Sequence, residues 1–379
     1  MDRKISIGMV GLGQFGSEFI QLFRDHPLVD RIALCDIQAE RVSKYSKQFE
    51  IQETYTSLDD LCKSDIEAVV LITQPWLHAP QAKQVMESGK HVYSAVPIIT
   101  SDSGDNEVIL EWCDRLVQTV ERTGQIYMMG ETTYYRADTM YCRNRMEEKA
   151  FGEIIHIEAE YLHDTYLPAC NLIHVLMGRY QKSEQEIMAM GGGVPMHYPT
   201  HSTSAPISLL KEPFTTISAR GYIHPDDEYY RADSVSGCQF SNEVALGQLK
   251  NGATASILEF RRVGYLGNEG FVRVLGTEGS FVNGLDKPLW VTKEKKTQVD
   301  VESLREPLPD ILQKQLGGHG GSHAYLVHEF IQACSKERTP AISIWDAVRY
   351  MAAGVIAHKS AQKDGVWMAV PDWGDPPES

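Results

Sequence analysis

Gly11-Leu12-Gly13-Gln14-Phe15-Gly16 follows directly on an apolar run at residues 4–10, and the reading of this stretch decides the fold. The run has the length of a buried strand. After it, Phe15, Phe19, Leu22 and Phe23 recur at helical spacing until Asp25-His26-Pro27 stops the helix. A second strand, residues 31–35, ends at Asp36, which stands 20 positions after Gly16. Strand, glycine turn, helix and acidic strand end together form a dinucleotide fingerprint. Gly11 permits the tight turn, Gly13 lets a pyrophosphate approach the backbone, and Gly16 lets helix and strand pack closely. The helix N-terminus offers amides and a positive dipole end. Asp36 can accept from both ribose hydroxyls and would repel a 2′-phosphate, so the expected cofactor is NAD rather than NADP.

Outward from this unit, strand and helix keep alternating. A helix is expected at residues 39–48, a strand at 68–73, a helix at 76–88, a strand at 91–94, a helix at 102–122 and a strand at 125–129. That order predicts a doubly wound parallel α/β sheet. After Gly130 the period changes to that of strands joined by short turns such as Asn251-Gly252. Strands are expected at 154–161, 215–221, 236–240, 244–249, 254–260, 270–275 and 280–282, forming a mostly antiparallel sheet. Residues 286–315 read as a polar surface excursion, and helices are expected at 322–334 and 345–363. The division is therefore residues 1–130 for the dinucleotide and 131–379 for substrate and oligomerisation, with the last helices able to pack back on the first domain.

A chain of 379 residues suits two cores. Its formal net charge of −15 disfavours nucleic acid and anionic lipid as partners. No apolar stretch approaches the roughly 20 residues that span a bilayer, and no secretory signal is expected ahead of the first strand. Seven scattered cysteines with no CxxC pair suggest reduced thiols in a cytoplasmic protein.

Several further motifs accompany the glycine turn and Asp36. They are Thr73-Gln74-Pro75-Trp76-Leu77-His78, Gly89-Lys90-His91-Val92, Phe151-Gly152-Glu153-Ile154, Gly191-Gly192-Gly193 followed by His201, and Gly276-Thr277-Glu278-Gly279-Ser280. With them the chain resembles the glucose–fructose oxidoreductase / inositol dehydrogenase / rhizopine-catabolism (Gfo/Idh/MocA) family over nearly its whole length. The resemblance implies a Rossmann domain joined to an open-faced antiparallel sheet, a carbohydrate or polyol substrate between them, and homodimers or homotetramers formed through the sheet. It carries the cofactor site onto Gly11, Gly13, Gln14, Phe15, Gly16, Asp36, Ile37, Thr73, Gln74, Trp76, His78, Ala95, Val96 and Pro97. There are two departures. The family's Glu-Lys-Pro is here Ala95-Val96-Pro97, without the lysine, and the aspartate four residues before its catalytic histidine is here His197.

Oxidation of a hydroxyl requires a base within hydrogen-bond reach and the adjacent C–H facing the nicotinamide. His201 matches the family's base. His197 would share a face with it if this segment were a helical turn, and Tyr198 and Thr200 offer hydroxyls to a sugar. His163, Asp164, Tyr135 and His323 are further candidates for substrate contact, with Glu131 near the nicotinamide and His319 on the loop Gly317-Gly318-His319-Gly320-Gly321, where Ser322 is the expected helix cap. His197-x3-His201 has a zinc-like spacing, but no metal is assigned. Three readings remain open: a dehydrogenase of a sugar, glycoside or cyclitol; a glycosidase that oxidises its substrate transiently at C3 and regenerates NAD; and a sensor that kept the fold and lost turnover.

Overall fold

The six residues of β1 (Ile5–Val10) are all buried, as are the four of β4 (Ala68–Leu71). Such continuous apolar runs belong where helices cover both faces of a parallel sheet. The computed structural model describes residues 3–166, 172–264, 271–283 and 287–377. With β2 (Val29–Cys35), β3 (Thr54–Tyr55), β5 (His91–Ser94) and β6 (Tyr127–Met129), these strands form a parallel sheet in the order β3-β2-β1-β4-β5-β6. The winding reverses between β1 and β4, and the crevice at the carboxyl ends of those strands is where such sheets bind ligands. Gly11 leaves β1 at that point. Helix Gln14–Asp25 follows and buries Phe19, Ile20, Leu22 and Phe23 against the sheet.

The second sheet has nine strands: β7 (Ile154–Leu162), β8 (Phe214–Tyr222), β9 (Asn242–Leu249), β10 (Thr254–Phe260), β11 (Val272–Gly276), β12 (Gly279–Val282), β13 (Leu289–Thr292), β14 (Lys296–Gln298) and β15 (Met368–Ala369). Their order is β14-β13-β12-β11-β7-β10-β9-β8-β15. Every pairing is antiparallel except β7 with β10. In β9 buried and exposed residues alternate strictly from Glu243 to Leu249, the mark of a sheet covered on one face. Helices Thr200–Leu210 and Ile344–Ala361 pack on the covered face. The latter is buried almost throughout because helix Asn106–Thr123 of the first layer lies against its other side. Gly354 is required there, since a Cβ would stand 2.4 Å from the Met196 carbonyl oxygen.

The last two helices also contact elements of the first layer. His26 and His328 face each other across 3.0 Å, and Met129 N–H donates to Ile342 at 3.0 Å.

Three expectations about elements are corrected. Residues 236–240 are not a strand: Gly237 has φ +61°, and β9 is already paired on both sides by β8 and β10. The expected excursion at 286–315 instead supplies β13 and β14 to the sheet edge; its first residue, like Cys170 and Gly270, lies outside the described residues. The helix expected from residue 322 does begin there, because His319, Gly320 and Gly321 just ahead of it have left-handed, non-helical backbone; only its expected cap is corrected. Ser322 does not cap it, because its hydroxyl donates back to the His319 carbonyl at 2.9 Å. Short helices at Leu58–Lys63, Ala137–Glu147, Leu172–Tyr180, Glu184–Met190 and Thr200–Leu210 were not anticipated by the periodicity.

Candidate active site

The glycine turn has the geometry its sequence requires. Gly11 has φ +90°, and a Cβ there would lie 2.2 Å from the Ile72 carbonyl oxygen. A Cβ on Gly16 would lie 2.0 Å from the Gly11 carbonyl oxygen, so the third glycine sets the helix–strand approach. At Gly13 nothing stands within 4 Å of the Cβ position, and no side chain caps the helix that starts at Gln14. An open backbone face at an uncapped helix N-terminus fits a pyrophosphate. Asp36 accepts from Leu12 N–H at 2.7 Å and from Gln38 N–H at 2.9 Å, tying the turn to the end of β2. Arg41 stands 3.6 Å from the same carboxylate. Ile37 is 84% exposed beside it, an open apolar flank for an adenine. The residues present fit a dinucleotide.

Across the crevice, Trp76 stacks on Tyr180 with ring centroids 4.3 Å apart. Thr73 donates to Gln81 at 2.6 Å. His78 is fully buried between the carbonyls of Pro97 (2.8 Å) and Thr73 (3.2 Å). Burial outweighs those carbonyls and lowers its pKa to about 4, so it stays neutral. Ala95 N–H donates to Leu71 at 2.9 Å, and the Val96–Pro97 bond is cis. The Val96 carbonyl receives the Tyr198 hydroxyl at 3.3 Å.

His201 sits in the first turn of helix Thr200–Leu210, and its Nδ1 donates to Glu131 Oε1 at 2.8 Å. Glu131, with no exposed surface, also accepts from Thr133 N–H at 2.8 Å, while the Thr133 hydroxyl donates to the His201 carbonyl at 3.0 Å. Burial alone would raise the Glu131 carboxyl; the His201 imidazole overrides it and holds the pKa at about 2. An ionised carboxylate on Nδ1 fixes the tautomer and leaves the Nε2 lone pair of His201 available. The arrangement can accept a proton.

The His201 ring lies 4.7 Å from Tyr161, 5.7 Å from Tyr198 and 6.5 Å from His319, stacked with the last. Gly318 N–H donates to His323 Nδ1 at 3.1 Å, which places the His323 proton on Nε2, and that proton goes to His319 Nδ1 at 2.9 Å. Burial keeps both rings neutral, with pKa values of about 3 for His323 and about 4 for His319. His319 therefore carries its own proton on Nε2. One imidazole presents a lone pair, and its stacked neighbour presents an N–H.

Not every expected residue joins this group. His197 borders a cavity lined also by Tyr161 and Tyr198, but Pro199 separates the short 3-10 turn Pro195–His197 from the helix of His201, so the two do not share a helical turn. Its Nε2 meets Asn106 at 2.8 Å, and burial first, then His358, keeps it neutral. Asp164 uses both oxygens on backbone, accepting from Tyr166 N–H at 2.8 Å and Val263 N–H at 2.7 Å, and borders a different depression with Asp226 and Glu228. Tyr135 stacks on Tyr325 inside the core at 5.9 Å. Thr200 is fully buried, and His323 is stacked on Phe19 behind His319 at 4.3 Å. His163 does border the cavity and contacts the Tyr161 hydroxyl at 2.8 Å. Phe15, besides lying beside the glycine turn, touches His319 at 5.7 Å.

Two groups were missed. Buried Glu259 pairs with Arg261 at 2.7 Å and receives the Ser202 hydroxyl, next to His201 in sequence. Its signal was available, because Glu259 takes the inward parity of Ala255 and Ile257 in β10. Arg179, which borders the cavity, gave no sequence signal beyond being a cation in an apolar helix.

Two family models match: an oxidoreductase family NAD-binding Rossmann fold over residues 5–131, and the same family's C-terminal alpha/beta domain over residues 143–370. Among curated proteins, a "Glycosyl hydrolase family 109 protein" of Shewanella sp. (strain W3-18-1) is 32% identical over 170 residues, 42% of this chain and 35% of that protein. One from Shewanella pealeana is 31% identical over the same length. These matches span about a third of the relatives' own length (35% and 36%). Among solved structures, levoglucosan dehydrogenase in complex with NADH and levoglucosan superposes with TM-score 0.75 at 19% identity, covering 98% of this chain and 100% of that one. The scyllo-inositol dehydrogenase of Lactobacillus casei gives 0.71 at 16%, covering 97% and 99%. At such identities the superpositions establish the fold. The two family models cover nearly the whole chain, and it belongs to the Gfo/Idh/MocA oxidoreductases with an NAD-binding Rossmann domain.

Proposed function

We propose that the protein is an NAD-dependent oxidoreductase acting on a secondary hydroxyl, or the matching ketone, of a sugar, glycoside or cyclitol. The observation that carries this reading is the ionised Glu131 bonded to His201 Nδ1 at 2.8 Å, beside a crevice open at Gly13. Bound NAD supplies the hydride acceptor. His201 Nε2 takes the hydroxyl proton as the adjacent C–H bond breaks, and Glu131 stabilises the imidazolium that forms. Tyr161 and Tyr198 flank the imidazole and give a sugar ring surfaces to stack on. Substrate sits between the sheets, so we divide the chain near residue 130. Six described cysteines are free thiols, which supports a reducing cytoplasm. The uncovered face of the second sheet exposes Tyr222, Val244 and Leu246 and suits self-association into a dimer or tetramer.

The proposed activity is tested by incubating the protein with NAD and a panel of sugars, uronates, inositols and glycosides. NADH is followed, and mass spectrometry locates the ketone. A panel with no NADH and no ketone overturns the reading.

A second reading has an observation of its own. The His319 ring, which carries an N–H, stacks near that of His201, placing a base and a donor of opposite role side by side with ring centroids 6.5 Å apart. In a glycoside oxidised transiently at C3, His201 removes the C3 hydroxyl proton as the hydride leaves C3, a base takes the acidified C2 proton, and the C1–O bond breaks as His319 protonates the departing oxygen. Water then adds across the C1–C2 double bond, its hydroxyl going to C1, C2 regaining a proton and the water's own proton restoring His319. The hydride then returns to the sugar. The curated relatives' name, glycosyl hydrolase family 109, is in keeping with this reading. Glycoside cleavage without net NADH separates it from the first.

A further inference from the structure

The cavity beside His201, of about 240 Å³, has walls of tyrosine: Tyr161, Tyr180, Tyr198 and Tyr230 border it, together with His163 and Arg179. Arg261 also reaches it, but its charge is met by Glu259 at 2.7 Å. Asp102, exposed at the rim, receives the Tyr180 hydroxyl at 3.0 Å. Arg179 differs from both: among the described residues no carboxylate lies within ion-pair distance of it and no hydrogen bond reaches it. A half-buried guanidinium without a counter-charge has lost part of its hydration and gained nothing in exchange. Its planar fork is shaped for bidentate contact with a carboxylate.

We propose that Arg179 receives the carboxylate of an acidic sugar, a uronic acid or its glycoside, while His201 addresses a ring hydroxyl of the same molecule. This rests on the sugar oxidoreductase reading and narrows its substrate class. Both groups neighbour Tyr198. The Tyr198 ring lies 5.7 Å from His201, and the Arg179 charge acts on the Tyr198 hydroxyl, opposing the rise that burial causes there. Arg179 also acts on Tyr180, whose ring stacks on Trp76, so the cation sits where the substrate cavity meets the cofactor crevice. A neutral sugar bound there would leave the guanidinium dehydrated and unpaired. An acidic one satisfies it, which is how a site discriminates between two ligands of equal shape.

The test is calorimetric titration of the full chain loaded with NADH, using methyl glucuronoside against methyl glucoside and the galacto pair likewise. Each pair differs in one group, carboxylate against hydroxymethyl. The acid is expected to bind at least about tenfold more tightly, as a charge-assisted hydrogen bond gives. Arg179→Gln is expected to erase the preference, Arg179→Lys to keep part of it, and NADH affinity to be the same in all three proteins. Equal binding within each pair, a preference that survives in Arg179→Gln, or a loss of NADH affinity in that variant overturns the assignment; the last result gives Arg179 to the cofactor. Neutral sugars binding where acids do not overturns the assignment alone. A loaded protein that binds neither kind overturns the sugar reading with it.

Discussion

His201 Nδ1 and Glu131 Oε1 are 2.8 Å apart, although 70 residues separate them in the chain. Glu131 leaves the last strand of the first sheet, and His201 begins the helix that packs on the second. The hydrogen bond therefore ties the end of the first sheet to a helix that covers the second. Because the carboxylate is ionised and fully buried, it costs desolvation that the imidazole offsets, with the Thr200 hydroxyl and the amide of Thr133.

Replacing that carboxylate by its neutral isostere tests the pairing. Glu131→Gln keeps the shape but no longer holds the tautomer or stabilises an imidazolium. Steady-state kinetics should show kcat lowered about 100-fold, with NAD affinity unchanged. Unaltered kcat would reduce Glu131 to a structural cap of the turn that follows it.

The glycine turn permits a contrast between two alanines. Gly13→Ala places its methyl in open space, so the variant should unfold at the parental temperature yet bind NAD at least about tenfold more weakly by calorimetry, because the lost approach is to the ligand. Gly16→Ala would press against the Gly11 carbonyl and should lower the unfolding temperature itself. If Gly13→Ala binds NAD as the parent does, the pyrophosphate lies elsewhere.

How much of this was legible follows from the kind of signal each part leaves. The first sheet was readable nearly strand by strand, because buried parallel strands and their helices repeat at different periods and Gly11, Gly16 and Asp36 have strict backbone reasons. The second half was less so. Its helix at Thr200–Leu210 holds Pro206 and is buried on all sides, so no polar face marks it. His197 looked able to share a face with His201 because spacing alone cannot register Pro199 breaking the turn. The pairing of His201 with Glu131 depends on how two distant elements pack, which no local pattern records.

His319 separates the two chemical readings. It occupies left-handed backbone, φ +50°, which asparagine tolerates, so His319→Asn is the variant of choice. For transient oxidation, glycoside cleavage should fall about 100-fold, while oxidation of a simple polyol stays within about twofold of the parent, since no leaving group then needs a proton. Equal loss of both activities would give His319 a positioning role only.

Buried neutral imidazoles make stability depend on acid. Burial lowers His26 to about 3, assisted by His328, and His78, His319 and His323 lie at about 4, 4 and 3. Below pH about 6.5 the unfolded chain binds protons that the folded chain refuses. Their contribution is thus present above that pH and lost as pH falls towards 3, by about 1.4 kcal/mol per pH unit for each such group. The unfolding temperature should drop steeply between pH 6.5 and 4.5. A flat profile would mean that these rings are hydrated.

Single-turnover mixing of the enzyme with NAD and a substrate taken from the panel, comparing the parent with His201→Ala, bears most directly on the chemistry at His201. It sees NADH even when a later step consumes it. The parent should form NADH within the first turnover, and the variant, binding NAD equally well, should form it at least about 100-fold more slowly. NADH formed at the parental rate by His201→Ala would show that another group takes the proton, and the Glu131–His201 pair would lose its place in the reaction.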